Sequence, residues 1–239
     1  MKTTSVMGEA ERVRGEVWVG GGPGFAVVPA GVRRGVVIIH EMLGRQPEID
    51  RVVERFAAAG YAAVAPDLFS DGPHAICLAK AIVETQRGEG PMIERLKTAR
   101  AWLCEQAGIG AEQVGLIGFC FGGGFALAAG HGWGAVSTNY GQVPPVEKLR
   151  GMGPTIGCYG ARDRIFGKTA DTLVERLRAV GTEVEAHTFE GVGHSFLTDG
   201  DHPVGAVITA PLFHIVYNPA VAEAGWEKIL AFFDRHLGR

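Results

Sequence analysis

The sequence predicts an α/β fold: a mostly parallel central sheet flanked by helices on both faces, with an antiparallel hairpin at its N-terminal edge. Three observations carry this. From Gly35 onward, short apolar runs rich in β-branched residues alternate with longer segments of helical spacing. Some runs, such as Gly35-Val-Val-Ile-Ile39, are apolar at nearly every position, as in strands buried on both faces. A chain of 239 residues, 46% of them hydrophobic, suffices for one large core and is short for two. With no linker, repeat or low-complexity segment, residues 1–239 read as a single domain, with 1–14 a loosely ordered extension.

Taken in order, Glu16–Val19 and Phe25–Val28, joined by the glycine-rich turn 20–24, predict the edge hairpin. Gly35–Ile39 is a central strand. Pro47–Gly60 has helical spacing through Ile49, Val52, Val53 and Phe56, with Gly60 as its C-terminal stop. Tyr61–Asp67 is the next central strand. Residues 68–90 form an excursion over the sheet with a helix at 75–87, and Pro91 opens a further helix through Ile93, Leu96, Ala99 and Leu103. Val114–Ile117 is a strand that breaks at Gly118, and helical spacing resumes at Phe125–Ala129. Strands follow at 135–140, 154–159 and 183–189, a helix at 168–180, and an amphipathic closing helix at 219–237.

Several function classes recede at once. A net charge of −3 without a basic block argues against nucleic acid or an anionic membrane surface as partner. No signal-peptide core or membrane-length apolar run is present, so a cytoplasmic protein, monomeric or a small homo-oligomer, is expected. Four scattered cysteines (Cys77, Cys104, Cys120, Cys158) form no Cys-x-x-Cys and read as reduced thiols. No phosphate loop or dinucleotide fingerprint appears, and no cofactor is expected. His40-Glu41 begins like the zinc motif His-Glu-x-x-His, but position 44 is glycine, so no metal is expected either. Asp199-Gly-Asp-His202 reads as a polar loop in preference to a cation site.

The chemistry concentrates at Gly118-Phe-Cys-Phe-Gly122, between a strand and a helix. Glycines on both sides of one reactive residue suit a sharp turn that holds a nucleophile above a sheet. The helix start behind Cys120 favours negative charge and hence thiolate. In open α/β sheets, ligands bind at the carboxyl ends of strands. The polar residues there are Glu41, Asp67, Cys120, Tyr140, Asp163 and His194. Cys120, Asp163 and His194 supply a thiol, a carboxylate and an imidazole. These are the groups needed to generate a nucleophile and to orient the base that takes its proton. Alone, Asp163 reads more readily as a turn or helix N-cap residue and His194 as a loop histidine; their joint placement at strand ends raises the set. None of the serines (Ser5, Ser70, Ser137, Ser195) has a comparable turn.

These residues resemble the dienelactone hydrolase (carboxymethylenebutenolidase) family of α/β-hydrolases. The resemblance runs from about Gly35 to the C-terminus. Val36-Val-Ile-Ile-His-Glu-Met-Leu-Gly44, Ala58–Phe69, Gly118-Phe-Cys-Phe-Gly-Gly123, Asp163 and Gly193-His-Ser-Phe196 carry it. It implies Cys120 as nucleophile, His194 as base and Asp163 as its orienting acid. Glu41 becomes a group that bonds the resting thiol and helps ionise it, and the backbone N–H groups of Met42 and Phe121 become the oxyanion hole. It places Tyr140 at the pocket and implies a small-molecule ester or lactone substrate. The best-known members hold a substrate carboxylate with arginine four residues after the histidine, where this chain has Thr198. A general carboxylesterase or thioesterase is therefore the alternative, followed by a non-catalytic ligand-binding or thiol-sensing protein. Residues 199–217 are a candidate loop over the pocket.

Overall fold

The structure is a computed structural model; it describes residues 11–199 and 217–238. Most of the candidate pocket loop, 200–216, and most of the N-terminal extension, 1–10, therefore lie outside the described residues. One eight-stranded sheet in the order β1-β2-β4-β3-β5-β6-β7-β8 organises the chain. β1 (Val13–Val19) and β2 (Gly22–Val28) form the edge hairpin, and β2 pairs antiparallel with β4 (Ala62–Pro66). The remaining pairs, through β3 (Gly35–Ile39), β5 (Val114–Phe119), β6 (Ala135–Asn139), β7 (Thr155–Gly160) and β8 (Val184–Phe189), are parallel. The hairpin turn is shorter than expected. Gly20 and Gly21, at φ 62° and 86°, complete it alone, so β2 starts at Gly22.

Among the described residues the α-helices are α1 (Pro47–Ala58), α2 (His74–Arg87), α3 (Pro91–Ala107), α4 (Phe121–Ala129), α5 (Thr169–Ala179) and α6 (Pro219–His236). Period-two alternation along the buried strands feeds two cores. Val36 and Ile38 of β3 join Ile49, Val53 and Phe56 of α1 and Trp226, Ile229 and Phe233 of α6 on one face. Val37 and Ile39 face Leu96 and Leu103 of α3, Leu127 of α4 and Leu173 of α5 on the other. In the excursion, the Glu84 carboxylate on α2 accepts the backbone N–H groups of Met92 (2.8 Å) and Ile93 (3.3 Å), capping the start of α3.

The largest departure from the sequence reading is at α4, which begins at Phe121 and takes Gly122, Gly123 and Gly124 into its first turn. Glycine is a poor helix former, and tertiary packing overrides that here. A Cβ on Gly118 would fall on the Gly122 carbonyl, and one on Gly122 would fall on the His40 carbonyl. A Cβ on Gly123 would stand 2.8 Å from the Asn139 oxygen. These obstacles are backbone atoms, so no side chain can swing aside.

Gly118→Ala should therefore lower the Tm. Overpacking of this kind costs about 1–3 kcal/mol, or about 2–12 °C for a chain of this size. Gly72→Ala, at a position with nothing within 4 Å, is the control. Equal Tm values for the two variants would show that the turn tolerates a side chain.

Candidate active site

Parallel register brings the strand ends to one edge: Ile39 pairs with Gly118, Phe119 with Asn139, and Gly160 with Phe189. Cys120 follows β5 at φ 55°, ψ −118°, as the residue capping α4. Such a backbone costs on the order of 1–3 kcal/mol in a non-glycine residue and persists when its surroundings over-determine it. They do so here. The Cys120 N–H donates to the Asn139 carbonyl at 3.0 Å, and its own carbonyl accepts from Gly123 at 3.0 Å.

Asp163 and His194 meet as the sequence led one to expect. His194 Nδ1 donates to Asp163 Oδ2 at 2.6 Å, and both side chains are almost wholly enclosed. Asp163 Oδ1 accepts the backbone N–H groups of Ile165 (2.9 Å) and Phe166 (3.0 Å). Asp163 is thus both a turn residue and a partner of the imidazole. Its carboxylate selects the tautomer that leaves Nε2 as the basic nitrogen. The same loop presents Phe166, whose ring centroid lies 5.5 Å from that of His194, with Tyr140 at 4.9 Å.

Glu41 follows β3, and its Oε1 accepts from Ser195 Oγ (3.2 Å) and Thr198 Oγ1 (3.3 Å). Thr198 Oγ1 also lies 3.4 Å from the Tyr140 hydroxyl. Tyr140 (φ 43°) is sealed from solvent, and Ser195 (φ 55°) is partly buried. The sequence reading missed Ser195. Its adjacency to His194 is a signal, but nothing local says that it turns toward a residue 154 positions away. Met42 and Leu43, just past Glu41, are exposed.

Loss of water around the Cys120 thiol is the largest influence on its ionisation and pushes its pKa well up. The Glu41 and Asp163 carboxylates push the same way, while the Phe121 N–H at the start of α4 opposes them. The helix start thus favours the thiolate as expected, but loss of water and two carboxylates outweigh that one N–H, which agrees with a thiol at rest. Among the described residues, no cluster of three or more His, Cys, Asp or Glu side chains could hold a metal ion. Also among them, no helix is long and apolar enough to cross a membrane.

The family model of the dienelactone hydrolase family matches residues 23–237. A carboxymethylenebutenolidase of Rhodococcus opacus is 26% identical over 222 residues, covering 84% of this chain and 81% of its own. Among solved structures, a dienelactone hydrolase-like promiscuous phosphotriesterase from metagenomic libraries superposes with a TM-score of 0.74 at 21% identity. That match covers 95% of this chain and 98% of the other. A dienelactone hydrolase of Anabaena variabilis gives a TM-score of 0.65 at 21% identity, covering 96% and 99%. These structural likenesses establish the α/β-hydrolase fold.

The charge around Cys120 has a measurable sign. Glu41→Gln removes a negative group that holds the thiol protonated, so the pKa of Cys120 falls and the thiolate fraction at fixed pH rises. Alkylation by iodoacetamide at pH 8 should accelerate, by up to about tenfold per unit of pKa released. A slower rate would reverse the role assigned to the Glu41 charge.

Proposed function

The chain belongs to the dienelactone hydrolase family, and on that premise we propose that it hydrolyses lactone or carboxylic ester bonds through a thioester on Cys120. The observation that carries this reading is the strained Cys120 turn, set at the same sheet edge as the enclosed Asp163–His194 pair. In the reading, His194 Nε2 takes the thiol proton while Nδ1–H stays on Asp163. The thiolate attacks the carbonyl carbon, and the oxyanion that forms accepts the N–H groups of Met42 and Phe121. The Phe121 N–H, at the start of α4, favours the thiolate of Cys120 and so lends support to this role. The C–O bond then breaks, and the leaving oxygen takes the proton from His194. Water, deprotonated by His194, hydrolyses the thioester and restores the thiol.

Glu41 controls when Cys120 ionises: its charge holds the proton on sulfur until substrate alters the contacts around the carboxylate. Thr198 lines the substrate side, 7% exposed, with its hydroxyl joined to Glu41 and Tyr140. Tyr140 backs it from the core. An uncharged Thr198 supports a second reading, a general carboxylesterase acting on neutral esters.

Turnover of p-nitrophenyl acetate should be blocked by iodoacetamide and lost in Cys120→Ala; full activity in that variant would sink the mechanism. Asp163→Asn, which removes the carboxylate that fixes the imidazole tautomer, should lower kcat on the order of 10²–10⁴-fold. A kcat/KM that favours a neutral ester over a carboxylate-bearing enol lactone would select the carboxylesterase reading, and the opposite ratio the dienelactone one.

A further inference from the structure

His40, the residue before Glu41, takes no part in the chemistry above, yet it is only 1% exposed. A polar ring so enclosed needs partners for both nitrogens. The Leu68 N–H donates to Nε2 at 3.0 Å, so Nε2 is an acceptor. Nδ1 lies 2.8 Å from the Glu41 carbonyl oxygen, which can only accept, so Nδ1 carries the proton. Two independent contacts thus select one neutral tautomer. Burial, which lowers the basicity of the ring, keeps it neutral against the pull of Asp67, whose Oδ1 is 3.7 Å from Nε2.

The group that Nδ1–H holds is the peptide between Glu41 and Met42. In a trans peptide the C=O and N–H point in opposite directions, so fixing the Glu41 oxygen also fixes the aim of the Met42 N–H. The Gly44 N–H reaches the same oxygen at 3.1 Å, so a turn contact and an imidazole contact hold it together. The next peptide is held in the same way: His74 Nε2 donates to the Met42 carbonyl at 2.8 Å. Phe69 packs edge-on against both rings, with centroids 4.7 Å from His40 and 5.2 Å from His74. Leu68 and Phe69 follow β4, the parallel neighbour of β3, so the end of one strand braces the loop that leaves the other.

We propose that His40 is a positioning residue for the oxyanion hole, its Nδ1–H holding the Glu41 carbonyl so that the Met42 N–H points at the developing oxyanion. This rests on the hydrolase reading and deepens it. His40 touches neither substrate nor nucleophile; it acts through one peptide plane. Removing an oxyanion donor outright costs about 10²–10³-fold in kcat, so loosening one should cost a part of that.

Two substitutions separate positioning from bulk. In His40→Asn the amide nitrogen occupies the place of Nδ1 and still donates to the Glu41 carbonyl, but nothing accepts the Leu68 N–H. In His40→Gln the amide oxygen reaches the place of Nε2 and accepts from Leu68, leaving the Glu41 carbonyl to Gly44. Each loses one hydrogen bond, so the Tm values should fall alike. On p-nitrophenyl acetate, His40→Gln should lose about 10–100-fold in kcat with KM nearly unchanged, whereas His40→Asn keeps most of the rate. Iodoacetamide should alkylate Cys120 at the same rate in both, because the thiol is untouched. Equal kcat losses that track Tm, or an unimpaired His40→Gln, would overturn the inference and leave the hydrolase reading standing. A wild-type protein inactive on every ester and lactone would overturn both. Should either variant fail to fold, ¹⁵N NMR of the wild-type histidines decides: a protonated Nδ1 on His40 is expected, and an unprotonated one overturns the inference.

Discussion

The close approach of α4 to the sheet is the constraint on which the rest of the site depends. Gly122 lies so near the His40 carbonyl, and Gly123 so near the Asn139 oxygen, that neither position has room for a Cβ. The helix start is thereby wedged between the ends of β3 and β6, the two strands that flank β5. Cys120, as the residue that begins α4, has no freedom to relax its positive φ. Glu41 and Tyr140 lie one or two residues past the flanking strands, so the same wedge brings them beside the thiol. A looser helix, with alanine at these positions, would move the start of α4 away from both strand ends together.

Charge is arranged with equal economy. Asp163 accepts two backbone N–H groups on one oxygen and the His194 Nδ1–H on the other, so both oxygens are held. Glu41 takes two hydroxyls on one oxygen. Both carboxylates bear on Cys120 and, with burial, oppose its ionisation. The proposed nucleophile is therefore stored as a thiol, and the single favourable contact from α4 does not release it. In the proposed mechanism the reactive form is made when substrate arrives, with His194 taking the proton.

How much of this the sequence discloses follows from the range of each interaction. Gly35–Ile39 is β3 to the residue, and the closing helix 219–237 is found at Pro219–His236. Both are written in local patterns, a β-branched run and a repeated apolar stripe with proline at its start. The meeting of Asp163 and His194 was legible because strand ends in a parallel sheet must share one edge. The start of α4 was not, because glycine spacing weakens a helical signal that tertiary packing then enforces. The hydroxyls around Glu41 and the imidazole behind it were hidden for a different reason. Ser195 and Leu68 reach their partners across the chain, and no period or motif encodes which way a side chain or an N–H turns at the end of a strand.

The raised pKa of Cys120 also bears on which bonds the proposed mechanism can break. In a tetrahedral intermediate the thiolate and the leaving oxygen compete to be expelled, and the weaker base departs more readily. A partly buried thiolate beside two carboxylates is a stronger base than an ordinary one, so it is the more nucleophilic and the less easily expelled. That favours forward breakdown of esters whose leaving oxygen is stabilised, as in an enol lactone or an aryl ester. An amide, whose nitrogen is far more basic, would return the thiolate instead. The cost is a small thiolate fraction at rest. In the proposed mechanism, the surroundings that commit Cys120 to attack thus also make it dependent on a partner that removes its proton at that moment, and Glu41, gripped by Ser195 and Thr198, stands where that dependence can be linked to the substrate.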